Sequence, residues 1–403
     1  MLKQHDIPIV LSEIPNRHLL IWGQSGLGKT YFSMRKIEDE YECGRKIALI
    51  DYSGSYTQTE LQKAQFQYVD DVLVLNPSNS PIYWISNSGD IDCFIQESKD
   101  ALVKALDINS YNQSSLLFLA LEYIEEHCDA TTFSWSIPKL IRALKELKKM
   151  FGHDEKSPDL APNIERLLTR LAKYESLYNF YVTMQSNDST ESKEQITIFQ
   201  LSDLPEEHRL FLTSLLSEML WLEMKRGKSS LNYFETIVYD EFQFLSVKRG
   251  SALSHFIREG RKFGVGLILS SQFISHYTEE EQETLLQANN ILIFKPTARD
   301  LTFSAKIIDF NSPGVWKKIL SKLSVGYAIL VGNYYINGND RLLNNPIVCH
   351  IEKEASNNVK EFTRCTNSAG CSKPTTCKRK IGIFPPTPRG NAPQKSRSNL
   401  SNS

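Results

Sequence analysis

The stretch Ile21-Trp-Gly-Gln-Ser-Gly-Leu-Gly-Lys-Thr30 narrows the folds open to this chain more than any other. Gly23, Gly28, Lys29 and Thr30 satisfy the spacing G-x-x-x-x-G-K-[ST]. Glycines there let the backbone wrap tightly, so that consecutive N–H groups turn inward toward phosphate oxygens. The apolar run "RHLLIW" (17–22) precedes the loop, and residues 31–41 contain no breaker and can continue as a helix. A helix beginning there adds the partial positive charge of its N-terminus. The spacing therefore predicts a strand–loop–helix unit that cradles a nucleotide with Gly23, Gln24, Ser25, Gly26, Leu27, Gly28, Lys29 and Thr30. Lys29 would bring a point charge to the β- and γ-phosphates of ATP, and the Thr30 hydroxyl would ligate Mg²⁺. A glycine-rich turn without a ligand explains neither the lysine nor the hydroxyl.

Further apolar runs extend the pattern. "KIALIDY" (46–52) and "DVLVLNPSNS" (71–80) predict a second and a third strand. From about residue 82 to 187 the periodicity becomes helical. Ile137, Leu140, Ile141, Leu144 and Leu147 share one helical face, as do Ile164, Leu167, Leu168, Leu171 and Tyr174. "SSLLFLALEYIEEH" (114–127) predicts another helix. Strands then return in "QITIFQL" (195–201), "FETIVYD" (234–240), "GLILSSQ" (266–272), "NILIFKP" (290–296) and "YAILVG" (327–332), with a long helix over 209–225. Continuous apolar strands suit a sheet covered on both faces. The expected organisation is an α/β core begun by residues 1–81, interrupted by an all-α insertion over 82–187 and completed by 188–353.

Residues 354–403 differ in composition. They are rich in Ser, Asn, Pro, Thr, Lys and Arg, which cannot bury enough apolar surface to offset ordering entropy, and they predict a disordered tail. From Lys360 onward nine basic residues face one acidic residue, so the tail carries about +8 and the body about −9. That asymmetry raises nucleic acid as a partner. Cys365, Cys371 and Cys377 stand six apart, whereas a zinc site wants closer pairs and a fourth ligand, so they read as tail thiols. The other four cysteines are scattered, no apolar run approaches a membrane span, and no secretory leader is visible. The expectation is a soluble cytoplasmic protein.

A phosphate cradle binds but does not hydrolyse; hydrolysis needs a carboxylate near the metal and a group that orients water. "TIVYDEFQFL" (236–245) is an apolar strand ending in Asp240-Glu241. Asp240 can hold the metal's water shell, and Glu241, one step on, can polarise the attacking water. In "REGRKFGVGLILSSQ" (258–272) a basic cluster ends a helix, Gly264 and Gly266 turn the chain, and a strand carries Gln272 at its tip. Gln272 can reach the γ-phosphate or the water.

"GQSGLGKT", "IDYSGSY", "IVYDEFQFL" and "REGRKFGVGLILSSQ", in this order, resemble the HerA–FtsK superfamily of DNA-translocating P-loop ATPases, which includes conjugative coupling proteins. The resemblance covers about 20–80 and 195–345. It implies a RecA-like core with a largely parallel central sheet, a hexameric ring and ATP hydrolysis at subunit interfaces. By position, Arg261 resembles the family's trans-acting arginine finger and Gln272 its sensor. Ser55 stands where the family often has an acidic residue. The loop begins at residue 23, leaving no room for the β-barrel that precedes it in HerA, and the membrane helices usual in coupling proteins and FtsK are missing. The expectation is a stripped-down motor that moves double-stranded DNA. The alternative is an ATP-dependent oligomeric switch that organises an effector such as a nuclease or relaxase. Conjugation, mobile-element maintenance, repair and phage defence all remain open as its process.

Overall fold

In the computed structural model, residues 2–4, 7–86, 90–128, 133–151, 160–184, 195–336 and 341–352 are described. Two short strands, β1 (Leu2–Gln4) and β2 (Ile7–Leu11), lead to β3 (Leu19–Trp22), which ends at the glycine-rich loop. Helix α1 (Lys29–Glu42) follows, then β4 (Ile47–Asp51), α2 (Gln58–Lys63) and β5 (Val72–Leu75). After the intervening lobe come β9 (Ile196–Gln200), α7 (Glu206–Arg226), β10 (Thr236–Tyr239), α8 (Ala252–Glu259) and β11 (Gly266–Ser271). Then α9 (Glu279–Leu285), β12 (Asn290–Phe294), α10 (Leu301–Ile308) and α11 (Pro313–Ser321) follow, with β13 (Tyr327–Gly332), β14 (Tyr334–Ile336) and β15 (Ile347–Ile351) closing the described chain.

These strands build one sheet in the order β14-β2-β1-β15-β13-β12-β3-β11-β10-β4-β9-β5. The run from β12 to β5 is parallel throughout. The other five strands extend it as an antiparallel flank beginning at the β12–β13 pair. The fold is thus α/β with a largely parallel central sheet, as the resemblance implied.

Side chains alternate between the two faces. Leu19 and Ile21 of β3, with Ile47 and Leu49 of β4, join Phe32 and Ile37 of α1 in one core. Leu20, Trp22, Ala48 and Ile50 join Leu215 and Met219 of α7 and Phe256 of α8 in the other. Period-two alternation with both sets buried leaves no polar face, which is why these strands read as unbroken apolar runs. Helix α7 is suited to its buried place. Pro205 precedes it, Glu206 and Glu207 open it, Lys225 and Arg226 close it, and Gly227 stops it at φ 76°.

The lobe over 82–184 departs from expectation. Helices α3 (Ile91–Ala105), α4 (Tyr111–Glu126), α5 (Ile137–Phe151) and α6 (Leu160–Ala172) are present, but three strands accompany them. They are β6 (Ile82–Ser86), β7 (Ser134–Trp135) and β8 (Phe180–Met184), in the order β6-β8-β7. The insertion is therefore not all-α. Its strands are rich in β-branched and aromatic residues, and alternate residues of β6 and β8 are buried, so each has one face to bury against the lobe's helices. Lys104 of α3 reaches Glu218 of α7 at 2.8 Å, and one apolar cluster runs from the lobe into the core. The tail expected over 354–403, with Cys365, Cys371 and Cys377, lies outside the described residues. Among the described residues no helix is long and apolar enough to cross a membrane.

Candidate active site

Strand register decides which residues meet. Trp22 of β3 pairs with Ser271 of β11, while Tyr239 of β10 pairs with Leu269 on one side and Ile50 on the other. The residues that follow therefore emerge at one edge of the parallel sheet: Gly23 beside Gln272, and Asp240 beside Asp51. Ligands of open parallel sheets bind at this carboxyl edge.

The loop over 23–28 has the backbone that its glycines allow. Gly23 lies at φ 144°, and a Cβ there would stand 2.6 Å from Cβ of Phe294 in β12. No other residue fits that approach, and the contact seats the loop against the neighbouring strand. The Gln24 backbone N–H donates to the Lys295 carbonyl at 3.0 Å, and its side-chain amide donates to the Pro296 carbonyl at 3.0 Å. Gly28 then caps α1, so Lys29 and Thr30 occupy the helix's first turn. Lys29 is buried, and its Nζ donates to the carbonyls of Gly23 at 2.7 Å and Gln24 at 2.9 Å. An ammonium has three N–H groups, so one remains for a phosphate oxygen. Burial lowers the Lys29 pKa, against the charges of Glu241 and Asp240 nearby.

Asp240 is 5% exposed and accepts a hydrogen bond from the Ser53 hydroxyl. Burial pushes its pKa up to about 7, with Asp51 and Glu241 adding to the rise and Ser53 and Lys29 opposing it. Asp51 is likewise pushed up by burial, to about 6. It serves the loop that follows: its carboxylate accepts from the backbone N–H groups of Gly54 at 2.8 Å, Ser55 at 3.0 Å and Tyr56 at 3.1 Å. That turn is what aims Ser53 at Asp240. Three carboxylates near a single lysine leave the site short of positive charge, and a divalent cation would correct this.

Among the described residues no set of three or more His, Cys, Asp or Glu is placed to hold a metal alone. Mg²⁺ bound with a nucleotide takes one or two carboxylates plus phosphates. Thr30 and Asp240 fit that pattern.

Glu241 sits at φ 55°, ψ 47°, the left-handed region. For a residue with a side chain this costs on the order of 1 kcal/mol and is a feature of functional sites. Gln272 donates to one carboxylate oxygen of Glu241 at 2.8 Å, a contact the sequence did not announce, so the strand tip and the acid meet.

Arg261 is not part of this cluster. It lies on the turn Gly260–Phe263, which precedes β11, and its guanidinium is exposed with a 3.5 Å contact to the Pro15 carbonyl. The six residues of β11 separate that turn from Gln272, roughly 20 Å at about 3.3 Å per residue. Arg258 instead donates to Thr284 at 2.9 Å, and Lys262 pairs with Glu259 at 3.4 Å.

Three contributors had no signal in the sequence. Ser53 touches Asp240 from 187 positions away. Gln243 holds Glu241 (below). Arg17 braces the Arg261 turn, donating to the Gly264 carbonyl at 2.5 Å and the Glu235 carbonyl at 2.8 Å. Gly266 makes room for it, since a Cβ there would meet Cβ of Arg17 at 2.9 Å.

Known proteins resemble this chain in sequence and in fold. Residues 1–220 match the family described as "Helicase HerA, central domain". The probable helicase MJ1565 of Methanocaldococcus jannaschii is 22% identical over 82% of this chain and 63% of its own length. The DNA double-strand break repair helicase HerA of Saccharolobus solfataricus is 22% identical over 78% of this chain and 62% of its own. The chain thus spans a little under two thirds of these relatives. Among solved structures, plasmid coupling protein TrwB in complex with the ATP analogue ADPNP superposes with a TM-score of 0.56 at 15% identity, covering 88% of this chain and 91% of that one. That likeness is one of fold.

Proposed function

The chain belongs to the family of the helicase HerA central domain, and from that premise we propose that it hydrolyses ATP with Mg²⁺ to move double-stranded DNA through a ring of its own copies. The observation that carries the proposal is the gathering of Lys29, Asp240, Glu241 and Gln272 at one edge of the sheet, with Arg261 at the other.

Each residue has a task in phosphoryl transfer. Backbone N–H groups of the loop and Nζ of Lys29 hold the phosphates. Thr30 and Asp240 would hold Mg²⁺, which would supply charge neutralisation to the phosphates. Glu241 takes the proton of the attacking water as general base. Gln272, bonded to Glu241, ties the base to the γ-phosphate position. Arg261, too far from its own loop, serves the nucleotide of a neighbouring copy, where an arginine finger is worth about 10³–10⁵ in rate. That head-to-tail use of unlike surfaces makes a ring where the repeat closes and a filament where it does not, and the family resemblance favours the ring. Six copies, and duplex DNA as cargo, are taken from the family, with relatives named as DNA repair helicases in support. In this proposal 1–81 and 188–353 form the two parts of the motor core, and 82–187 an accessory lobe.

The test is turnover of ATP with and without duplex DNA, and displacement of a triplex-forming strand from that duplex. The expected result is stimulated turnover and displacement, with Glu241→Gln retaining ATP binding and losing turnover by several orders of magnitude. Turnover indifferent to duplex, without displacement, favours an oligomeric switch instead. Near-normal turnover by Glu241→Gln removes that residue from its role.

A further inference from the structure

Gln272 holds only one oxygen of Glu241. The other, Oε2, accepts from the side-chain amide of Gln243 at 2.5 Å. Gln243 is itself buried and anchored twice. Its side-chain carbonyl accepts from the Ser271 hydroxyl at 2.7 Å, and its backbone carbonyl lies 3.1 Å from Nε2 of His276. One residue further on, the Tyr277 hydroxyl lies 2.9 Å from the Phe242 carbonyl and 3.1 Å from that of Leu245. The segment after β11 thus grips the segment after β10 at Glu241 and at the residues that follow it.

From this geometry, and resting on the proposal that Glu241 is the water-activating base, we infer that Gln243 is the positioning residue that fixes the plane of the Glu241 carboxylate. One donor leaves a carboxylate free to turn about its own chain. A second donor on the opposite oxygen removes that freedom. A general base must come within about 2.6–3.2 Å of the proton it takes, and a misplacement of about 1 Å costs on the order of 100-fold in rate. The chemistry of the holder also fits. A lysine at 243 would pair with the base and weaken it, and a glutamate would repel it. An amide holds the carboxylate without neutralising it. A carboxylate has about four acceptor positions, so two amide N–H groups leave others for water. The left-handed backbone of Glu241 is the third constraint, since it turns the side chain back toward Gln243 and Gln272.

The decisive variant is Gln243→Met, which keeps the length and burial of the side chain but cannot donate. The expected outcome is a kcat lower by about 10–100-fold, with KM for ATP and nucleotide affinity unchanged, because Lys29 and the phosphate loop are untouched. Gln243→Ala serves as a second variant with the same expected split. Ser271→Ala should lose less, and the double variant Gln243→Met/Ser271→Ala should match Gln243→Met alone, because Ser271 acts on Glu241 only through Gln243. A role in folding alone would not give that non-additivity. Wild-type kcat in Gln243→Met, a loss confined to KM, or losses that multiply in the double variant each overturn the inference. Glu241→Gln in the same assay separates the two levels. If it still turns over, the base assignment fails. If it is dead while Gln243→Met is normal, only the role of Gln243 fails.

Discussion

Replacing Glu40 by glutamine should remove about 3 kcal/mol of stability at neutral pH, and do so through charge alone. Glu40 lies near the end of α1, 4% exposed in its side chain, and is surrounded by cations. Arg45 reaches it at 2.7 Å, Arg17 at 2.9 Å and Lys36 at 3.1 Å, and the Thr236 hydroxyl donates to it at 2.8 Å. Burial alone would raise its pKa, but Lys36, Arg45 and Arg17 outweigh burial and hold it at about 2, against 4.5 for a free glutamate. At about 1.36 kcal/mol per unit, that gap amounts to roughly 3 kcal/mol. The figure sits at the low end of the roughly 3–5 kcal/mol lost when one partner of a buried ion pair is removed. An acid with a depressed folded pKa stabilises above its unfolded value and loses that contribution as pH falls through its folded value. The difference between wild type and Glu40→Gln should therefore be complete above about pH 5, less than half as large at pH 3, and gone below about pH 2. Urea unfolding of both proteins across that range measures it. Equal stability at pH 7 would show that the cluster contributes nothing net. A deficit of constant size down to pH 2 would show that packing, not charge, is the cause.

Two further outcomes follow from named contacts. His18 is 1% exposed; burial and the Arg17 charge lower its pKa from 6.5 to about 4, against a smaller opposing effect of the Ile257 backbone. The unfolded chain thus takes up a proton that the folded one refuses. The contribution of His18 is full above pH 6.5 and is lost between pH 6.5 and 4, and His18→Phe should remove that part of the slope in thermal melts. An unchanged slope would place the acid sensitivity elsewhere. Arg261→Ala should lose turnover by about 10³-fold or more while binding ATP normally, and mixing it with Lys29→Ala protein should restore part of the activity; no restoration would point to a role within its own subunit.

How much of this was legible depends on whether a feature is local in the chain. The strand before the loop, α1 and the strands over 236–239, 266–271 and 290–294 are written in contiguous residues. Burial on both faces makes such strands unmistakable runs. Of the antiparallel flank β13 was legible as an apolar run, whereas β1 and β14, like β7 in the lobe, hold only three, three and two residues, too few to show a period. Strand β6 alternates correctly but stands before a helical stretch whose stronger periodicity dominates. At the site, Gly23 to Thr30 are consecutive and Asp240-Glu241 adjacent, so their chemistry could be read in place. Ser53 on Asp240 and Arg17 on Gly264 join residues 187 and 247 positions apart. Nothing in a serine or an arginine alone announces such a partner.

The Arg261 segment shows how a motif can mix two kinds of constraint. Gly260 packs against His18, Gly264 caps the turn at φ 75°, and Gly266 yields to Arg17. All three glycines are thereby explained by folding, so their presence carries no argument about catalysis. Arg17 is explained by folding too: it joins the turn to Glu40, and Glu40 belongs to the helix whose first residue is Lys29. The exception is Arg261, whose exposed guanidinium approaches the Pro15 carbonyl at 3.5 Å. A guanidinium on a turn braced by buried ion pairs is held in place while its charge stays unspent. The same brace makes a mechanical link. The helix that begins at Lys29 carries Glu40 near its end, and Glu40 holds, through Arg17, the turn that presents Arg261 outward. If the finger serves a neighbour, a shift of α1 on hydrolysis has a rigid route to the adjacent site. Glu40→Gln, which leaves Lys29 and Arg261 in place, should then weaken cooperativity in ATP turnover at temperatures well below its unfolding. Unaltered cooperativity would leave the brace as a stabilising device only.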